Sequence, residues 1–205
     1  QLLEFNADGR FLREIGKGVY GIAYAHQVRF DQHDNLWVVD KGANTVIQFD
    51  PQGYVVMNLG RREEGYHGDV VLSTQQEARS SGGYLGGPTD VAWDSDENIY
   101  ISDGYVNSRM AKFDRDGNFV MEWGSFGSEI GQFNLPHALQ IDRDDNVYVA
   151  DRDNRRIQVF DTQGNFLRQI ILDTPYPAGY QPPFAARNPN RRVIETQPWA
   201  MCISN

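Results

Sequence analysis

The sequence is short of the features that mark several common kinds of protein. It holds a single cysteine, Cys202, so no disulfide can form within the chain. No stretch keeps a helical hydrophobic period, and no apolar run approaches the length that spans a membrane. Basic residues are outnumbered: 19 Lys and Arg stand against 28 Asp and Glu, for a formal net charge of -9. That balance argues against nucleic acid as the main partner. The bases present sit in small groups, as in DRDNRR and NRR, which leaves room for a small anionic ligand.

What fills the chain is a repeat. AHQVRFDQHDNLWVVD (25–40), GPTDVAWDSDENIYISD (87–103) and LPHALQIDRDDNVYVAD (135–151) share one layout. Each is a short apolar strand, an Asp, a polar turn ending in Asn, then a strand closing on Asp. The anchoring aspartates are Asp31, Asp94 and Asp142, and the closing ones, nine positions later in each copy, are Asp40, Asp103 and Asp151. Two more strand-like runs follow every copy, joined by a turn holding Gly53, Gly117 or Gly164, which reads as a hairpin. Four strands per unit, with starts about 50 residues apart, predict an all-β chain of propeller blades. One four-stranded sheet cannot bury both its faces, so stacking of such sheets supplies the core.

The predicted organisation is one repetitive domain over 1–205: a partial blade at 1–16, complete blades at 22–60, 88–124 and 135–172, and a partial blade at 197–205. Open end units would expose strand edges, which predicts self-association. Two inserts interrupt the blades, residues 61–87 and 173–197. They fall on connections that commonly carry function on a rigid scaffold, although a plain surface loop fits either one alone somewhat better.

At these strings the chain resembles the NHL repeat family. PTDVAWDSDENIYISDGYVNSRM followed by GQFNLPHALQIDRDDNVYVADRDNRRIQVF is similar, more particularly, to the peptidyl-α-hydroxyglycine α-amidating lyases. AHQVRFDQHDNLWVVD fits as well, with Ala25 where that family usually has proline. The likeness covers most of residues 22–172. It implies a six-bladed parent propeller whose central channel holds zinc on three histidines. It implies cleavage of a peptidyl-α-hydroxyglycine to an amide and glyoxylate, and a secreted or periplasmic setting. The partner implied is a small peptide-like substrate with a carboxylate, with neither nucleic acid nor membrane. On the same resemblance His26 and His137 match zinc ligands, and the third histidine is expected one unit after Trp199, beyond Asn205. Tyr105, after SDG, matches the tyrosine taken to remove the substrate's hydroxyl proton. Arg152, in VADRDN, matches an arginine that binds substrate. A structural calcium is implied through the backbone carbonyl near Val28.

The residues themselves carry part of this reading. His26 and His137 occupy one slot, five residues before the anchoring Asp, where the other units have Thr89 and Trp199. The slot opens the innermost strand, so its side chains are expected to face the channel at one level. In a six-bladed ring two units separate the histidines by roughly 120°. Three imidazoles with one open position make a familiar catalytic zinc environment. Each histidine alone reads more readily as a channel-lining side chain bonded to water or backbone, and it is the pair in one slot that favours a metal. Tyr105 alone reads as packing against the next blade, and Arg152 as an ion pair with Asp151 or Asp153. His33 and His67 are expected to be exposed and without function. The closing aspartates read as scaffold that binds turn amides. Two further functions remain open beside the zinc lyase: a non-catalytic binding or scaffold module, and an incomplete, inactive fragment.

Overall fold

The computed structural model describes residues 2–19, 22–61, 82–172 and 197–203. His67 and most of both inserts lie outside them. Among the described residues every regular element is a strand, and no helix is long and apolar enough to cross a membrane.

The strands fall into sheets in chain order. β1 (Leu2–Phe5) and β2 (Phe11–Ile15) form a hairpin. β3 (Ala25–Phe30), β4 (Leu36–Asp40), β5 (Thr45–Phe49) and β6 (Val55–Gly60) form the first four-stranded sheet. β7 (Asp90–Trp93), β8 (Ile99–Asp103), β9 (Arg109–Phe113) and β10 (Phe119–Trp123) form the second. β11 (Pro136–Ile141), β12 (Val147–Asp151), β13 (Arg156–Phe160) and β14 (Phe166–Ile171) form the third. All neighbours are antiparallel and consecutive in sequence. Residues 197–203 contain no strand. No second strand of a further unit is described beside them to complete a ladder.

The turns explain the repeat. After each innermost strand the anchoring carboxylate folds the chain back on itself. Asp31 accepts from the amides of His33 and Asn35, from Asn35 Nδ2 and from Trp37 Nε1. Asp94 and Asp142 repeat the pattern with Asn98 and Asn146, and take a hydroxyl from Tyr100 and Tyr148 in place of the indole. Such Asx turns close strands tightly because a short carboxylate reaches its own chain's amides.

Packing between sheets makes the core. Trp37, Val39, Val46 and Leu59 of the first sheet meet Val91, Ile99, Ile101, Ala111 and Phe113 of the second. The other face of the second sheet, with Tyr100 and Met110, meets Leu139, Val147, Val149 and Phe160 of the third. Leu36, Val38, Ile47 and Phe49 turn the opposite way, against Leu2 and Ile15 of the hairpin. The middle strands β4 and β8 are therefore buried on both faces. Each fully buried aliphatic side chain contributes about 1.5–3 kcal/mol. The innermost strands β3, β7 and β11 are left side by side at one edge of the stack.

Candidate functional site

The site begins at a local irregularity of the innermost strands. The pairing of β3 with β4 slips between Ala25 and Gln27, and that of β11 with β12 slips between Pro136 and Ala138. The residue inside each slip is His26 or His137. An extra residue in a ladder re-aims its side chain and is common beside functional sites. The bulge releases each imidazole from the alternation that would turn it into a sheet-to-sheet core.

The two rings come together. Their centroids are 4.8 Å apart at an interplanar angle of 67°. His26 Nδ1 lies 2.8 Å from the carbonyl oxygen of Thr89, and His137 Nδ1 lies 2.9 Å from that of Trp199. Each histidine is thus tied to the slot residue of the following unit. A carbonyl only accepts, so both Nδ1 atoms carry the hydrogen and both Nε2 atoms keep a lone pair. Those lone pairs meet at one point: Tyr105 Oη is 3.2 Å from His26 Nε2 and 3.3 Å from His137 Nε2.

Tyr105 is placed by backbone. Its amide donates to Gly87 O, and the Val106 amide donates to Gly86 O, both at 3.0 Å. A Cβ on Gly104 would overlap the carbonyl oxygen of Pro136, so the Ser-Asp-Gly-Tyr string needs its glycine for close approach to the third sheet. The Asp103 carboxylate holds the same loop, accepting from the Gly86 amide at 2.8 Å and from Asn107 Nδ2 at 2.6 Å. Asp40 does this for the amides of Ala23, Tyr24 and Ala43, and Asp151 for that of Asn134. The closing aspartates are scaffold.

Charge flanks the rings. Arg152 lies with its guanidinium carbon 4.2 Å from the Trp199 ring centroid, and its Nε bonds Asp153 at 2.8 Å. On the opposite flank Lys41 Nζ stands 3.9 Å from the centroid of Tyr105 and 4.5 Å from that of Tyr24. Next to Thr89, Asp90 is fully buried and joins three sheets: Arg29 Nε and Nη2 reach it at 3.0 and 2.7 Å, and the Leu139 amide at 3.0 Å. Burial first, with the nearby His26 and Arg152 acting the same way against the Trp199 hydrogen bond, brings the His137 imidazole down to about 4. Burial likewise lowers His26, with Lys41 and Arg152 acting the same way and the Thr89 carbonyl opposing. Both rings are therefore neutral near pH 7, the form that binds a metal.

The sequence-predicted residues are not all in one place. His26, His137 and Tyr105 converge, and Arg152 stands beside them across Trp199. Val28 is two residues farther along β3, opposite Val38 and 43% exposed, and is not part of the ring cluster. Thr89 departs from the expectation for its slot. Its side chain is buried, with Oγ1 2.9 Å from Ser102 O and 2.8 Å from Pro136 O, because a short hydroxyl finds partners in the adjacent backbone. His33 is exposed and bonds Glu97 at 2.9 Å. Among the described residues no three histidine, cysteine or carboxylate side chains gather as a complete metal cage. Sequence reasoning passed over Lys41 and the Asp90–Arg29 clamp; Lys41 had one signal, its occupation of the same slot as Arg152.

Known proteins share this pattern. The NHL repeat family model matches residues 133–160. The peptidylglycine alpha-amidating monooxygenase of Rattus norvegicus is 34% identical over 170 residues, covering 80% of this chain and 16% of that protein. A probable peptidyl-alpha-hydroxyglycine alpha-amidating lyase of Caenorhabditis elegans is 31% identical over 155 residues, covering 74% of this chain and 40% of that protein. The chain thus carries an NHL repeat at residues 133–160, and it resembles the amidating lyases. NHL repeat-containing protein 3 of Homo sapiens is similar too, 32% identical over 78% of this chain and 45% of its own length. The chain thus spans less than half the length of these curated relatives. Among solved structures, a streptogramin B lyase superposes with a TM-score of 0.58 at 13% identity, over 84% of this chain and 48% of that one, which shows the propeller fold alone.

Proposed function

We propose that this propeller segment carries the site of a zinc-dependent lyase that acts on an N-acyl-α-hydroxyglycine, releasing an amide and glyoxylate. One observation supports it above the rest: two imidazole Nε2 atoms converge on Tyr105 Oη. Three polar atoms there share one hydrogen, since both Nε2 atoms accept and only the phenol donates. One lone pair is left facing an oxygen, an arrangement that suits a cation. Neutral histidines whose other nitrogen is fixed by a carbonyl are the usual form of zinc ligands. His26 and His137 are the residues that would hold it. Bound there, zinc supplies Lewis-acid polarisation that makes a substrate hydroxyl easier to deprotonate.

The remaining roles belong to the protein. Arg152 offers its terminal guanidinium nitrogens to the substrate carboxylate, a planar match that fixes the reacting carbon. Tyr105 Oη, once its own hydrogen has left to solvent, takes the proton of the α-hydroxyl as a phenolate general base. The hydroxyl oxygen then becomes the aldehyde oxygen of glyoxylate as the carbon–nitrogen bond breaks. The departing nitrogen keeps the bonding pair and receives the proton, so no water or oxidant is consumed. The named likeness to amidating lyases supports this reaction class.

The test is elemental analysis of zinc together with glyoxylate release from N-benzoyl-α-hydroxyglycine. The reading expects bound zinc in the wild type, its loss in His137→Ala, and glyoxylate above the uncatalysed rate. A metal-free wild type that releases none would sink it.

A further inference from the structure

We infer that Lys41 is a second anion-binding residue of this site, so that the favoured substrate carries another carboxylate on its acyl side. The inference rests on the lyase reading for the reaction and on geometry for the ligand. Lys41 Nζ sits over the rings of Tyr105 and Tyr24 and, among the described residues, forms no ion pair with a carboxylate. Arg29, Arg109 and Arg156, by contrast, each hold a buried aspartate. Arg152 stands over Trp199, whose ring packs on His137, while the Tyr105 ring beneath Lys41 packs on both His26 and His137. Each of the two cations therefore stands over a ring that touches the imidazoles, Tyr105 for Lys41 and Trp199 for Arg152. An elongated dianion matches this charge pattern: one carboxylate at Arg152, the reacting carbon at Tyr105, a second carboxylate at Lys41. Aromatic faces around the ammonium strengthen its pull on an anion by excluding water, while contributing cation–π attraction of their own. The slot is not bound to hold a cation, because the equivalent residue in the second unit is Gly104.

The probes are N-succinylglycine, a dianion, and N-butyrylglycine, a monoanion of similar shape, measured by titration calorimetry on the full chain. A charged contact of this kind is worth about tenfold in Kd. The wild type is expected to bind the dianion about tenfold tighter than the monoanion. Lys41→Met brings the ratio to about one, and Lys41→Arg restores most of it. A ratio near one in the wild type, an unchanged ratio in Lys41→Met, or no binding of either probe overturns the inference. Glyoxylate release from N-succinyl-α-hydroxyglycine reports separately on the reaction. Its absence beside an intact binding ratio removes the lyase and leaves Lys41 as an anion site.

Discussion

His26 Nδ1 lies 2.8 Å from the carbonyl oxygen of Thr89, a residue that holds the same slot one unit later. The repeat itself thus sets the tautomer, because the backbone of one blade fixes the imidazole of its neighbour. His137 and Trp199 repeat the relationship at 2.9 Å. Nitrogen-15 NMR of the imidazoles at neutral pH, in chelator-treated protein, should show both rings protonated on Nδ1. Protonation on Nε2 would remove the convergent lone pairs on which the proposed zinc site depends.

Removing the phenolic oxygen isolates the proton-transfer role. Tyr105→Phe is expected to lower kcat for glyoxylate release by about 100- to 10,000-fold, the usual range for a lost general base. The fold should barely notice, since the hydroxyl makes only two long contacts with the imidazoles, worth about 1 kcal/mol. A Phe variant with near wild-type turnover would assign the base to another group.

Gly104 offers a steric test of how Tyr105 is placed. Gly104→Ala forces the new methyl against the Pro136 carbonyl, and backbone cannot move aside as a flexible side chain can. Overpacking of this kind costs about 1–3 kcal/mol. The loop should shift with Tyr105 on it, so turnover falls together with the urea midpoint. A stable variant of full activity would show that the close approach of loop and third sheet has no part in the site.

Much of this was legible in the residues. The fixed spacing of Asp31/Asp40, Asp94/Asp103 and Asp142/Asp151 encodes two turns, and it placed the strands because those carboxylates bind amides at set offsets. The shared slot pointed to His26 and His137 for the same reason: repetition makes departures visible. The bulge, the Nδ1–carbonyl ties and the meeting of Nε2 atoms at Tyr105 were not legible, since backbone acceptors and register slips leave no mark on side-chain identity. Thr89 shows the limit most plainly. Slot position predicted a channel-facing side chain, and a hydroxyl small enough to reach Ser102 and Pro136 turned inward.

Acid should loosen the fold through the same histidines. The His137 value in the folded chain, about 4, lies below its ordinary 6.5, so between those limits the unfolded chain binds the extra proton. Its contribution to stability is complete above pH 6.5 and drains away as pH falls toward 4. His26 is shifted in the same direction and adds to the slope. Urea midpoints of zinc-free protein across that window should fall more steeply for wild type than for His137→Gln. Parallel curves would mean that the buried imidazole titrates freely in the folded state.

Asp90 supplies the last test, one that separates support from chemistry. Its carboxylate takes two nitrogens of Arg29 from the first sheet and the Leu139 amide from the third, while its own strand belongs to the second. Three blades are pinned at the residue next to Thr89, whose carbonyl holds His26. Asp90→Asn keeps the shape and removes the charge, leaving Arg29 half-buried and unneutralised with one acceptor where it had two. Breaking a buried pair in this way costs about 3 kcal/mol. Because the clamp sets the spacing of β3 and β11, zinc affinity is expected to fall with stability even though residue 90 touches no ligand. A double variant that also replaces Arg29 with Met removes the orphaned charge and should regain most of the stability. If stability returns and zinc affinity does not, the carboxylate positions the histidines; if both return, it acts only as the partner of Arg29.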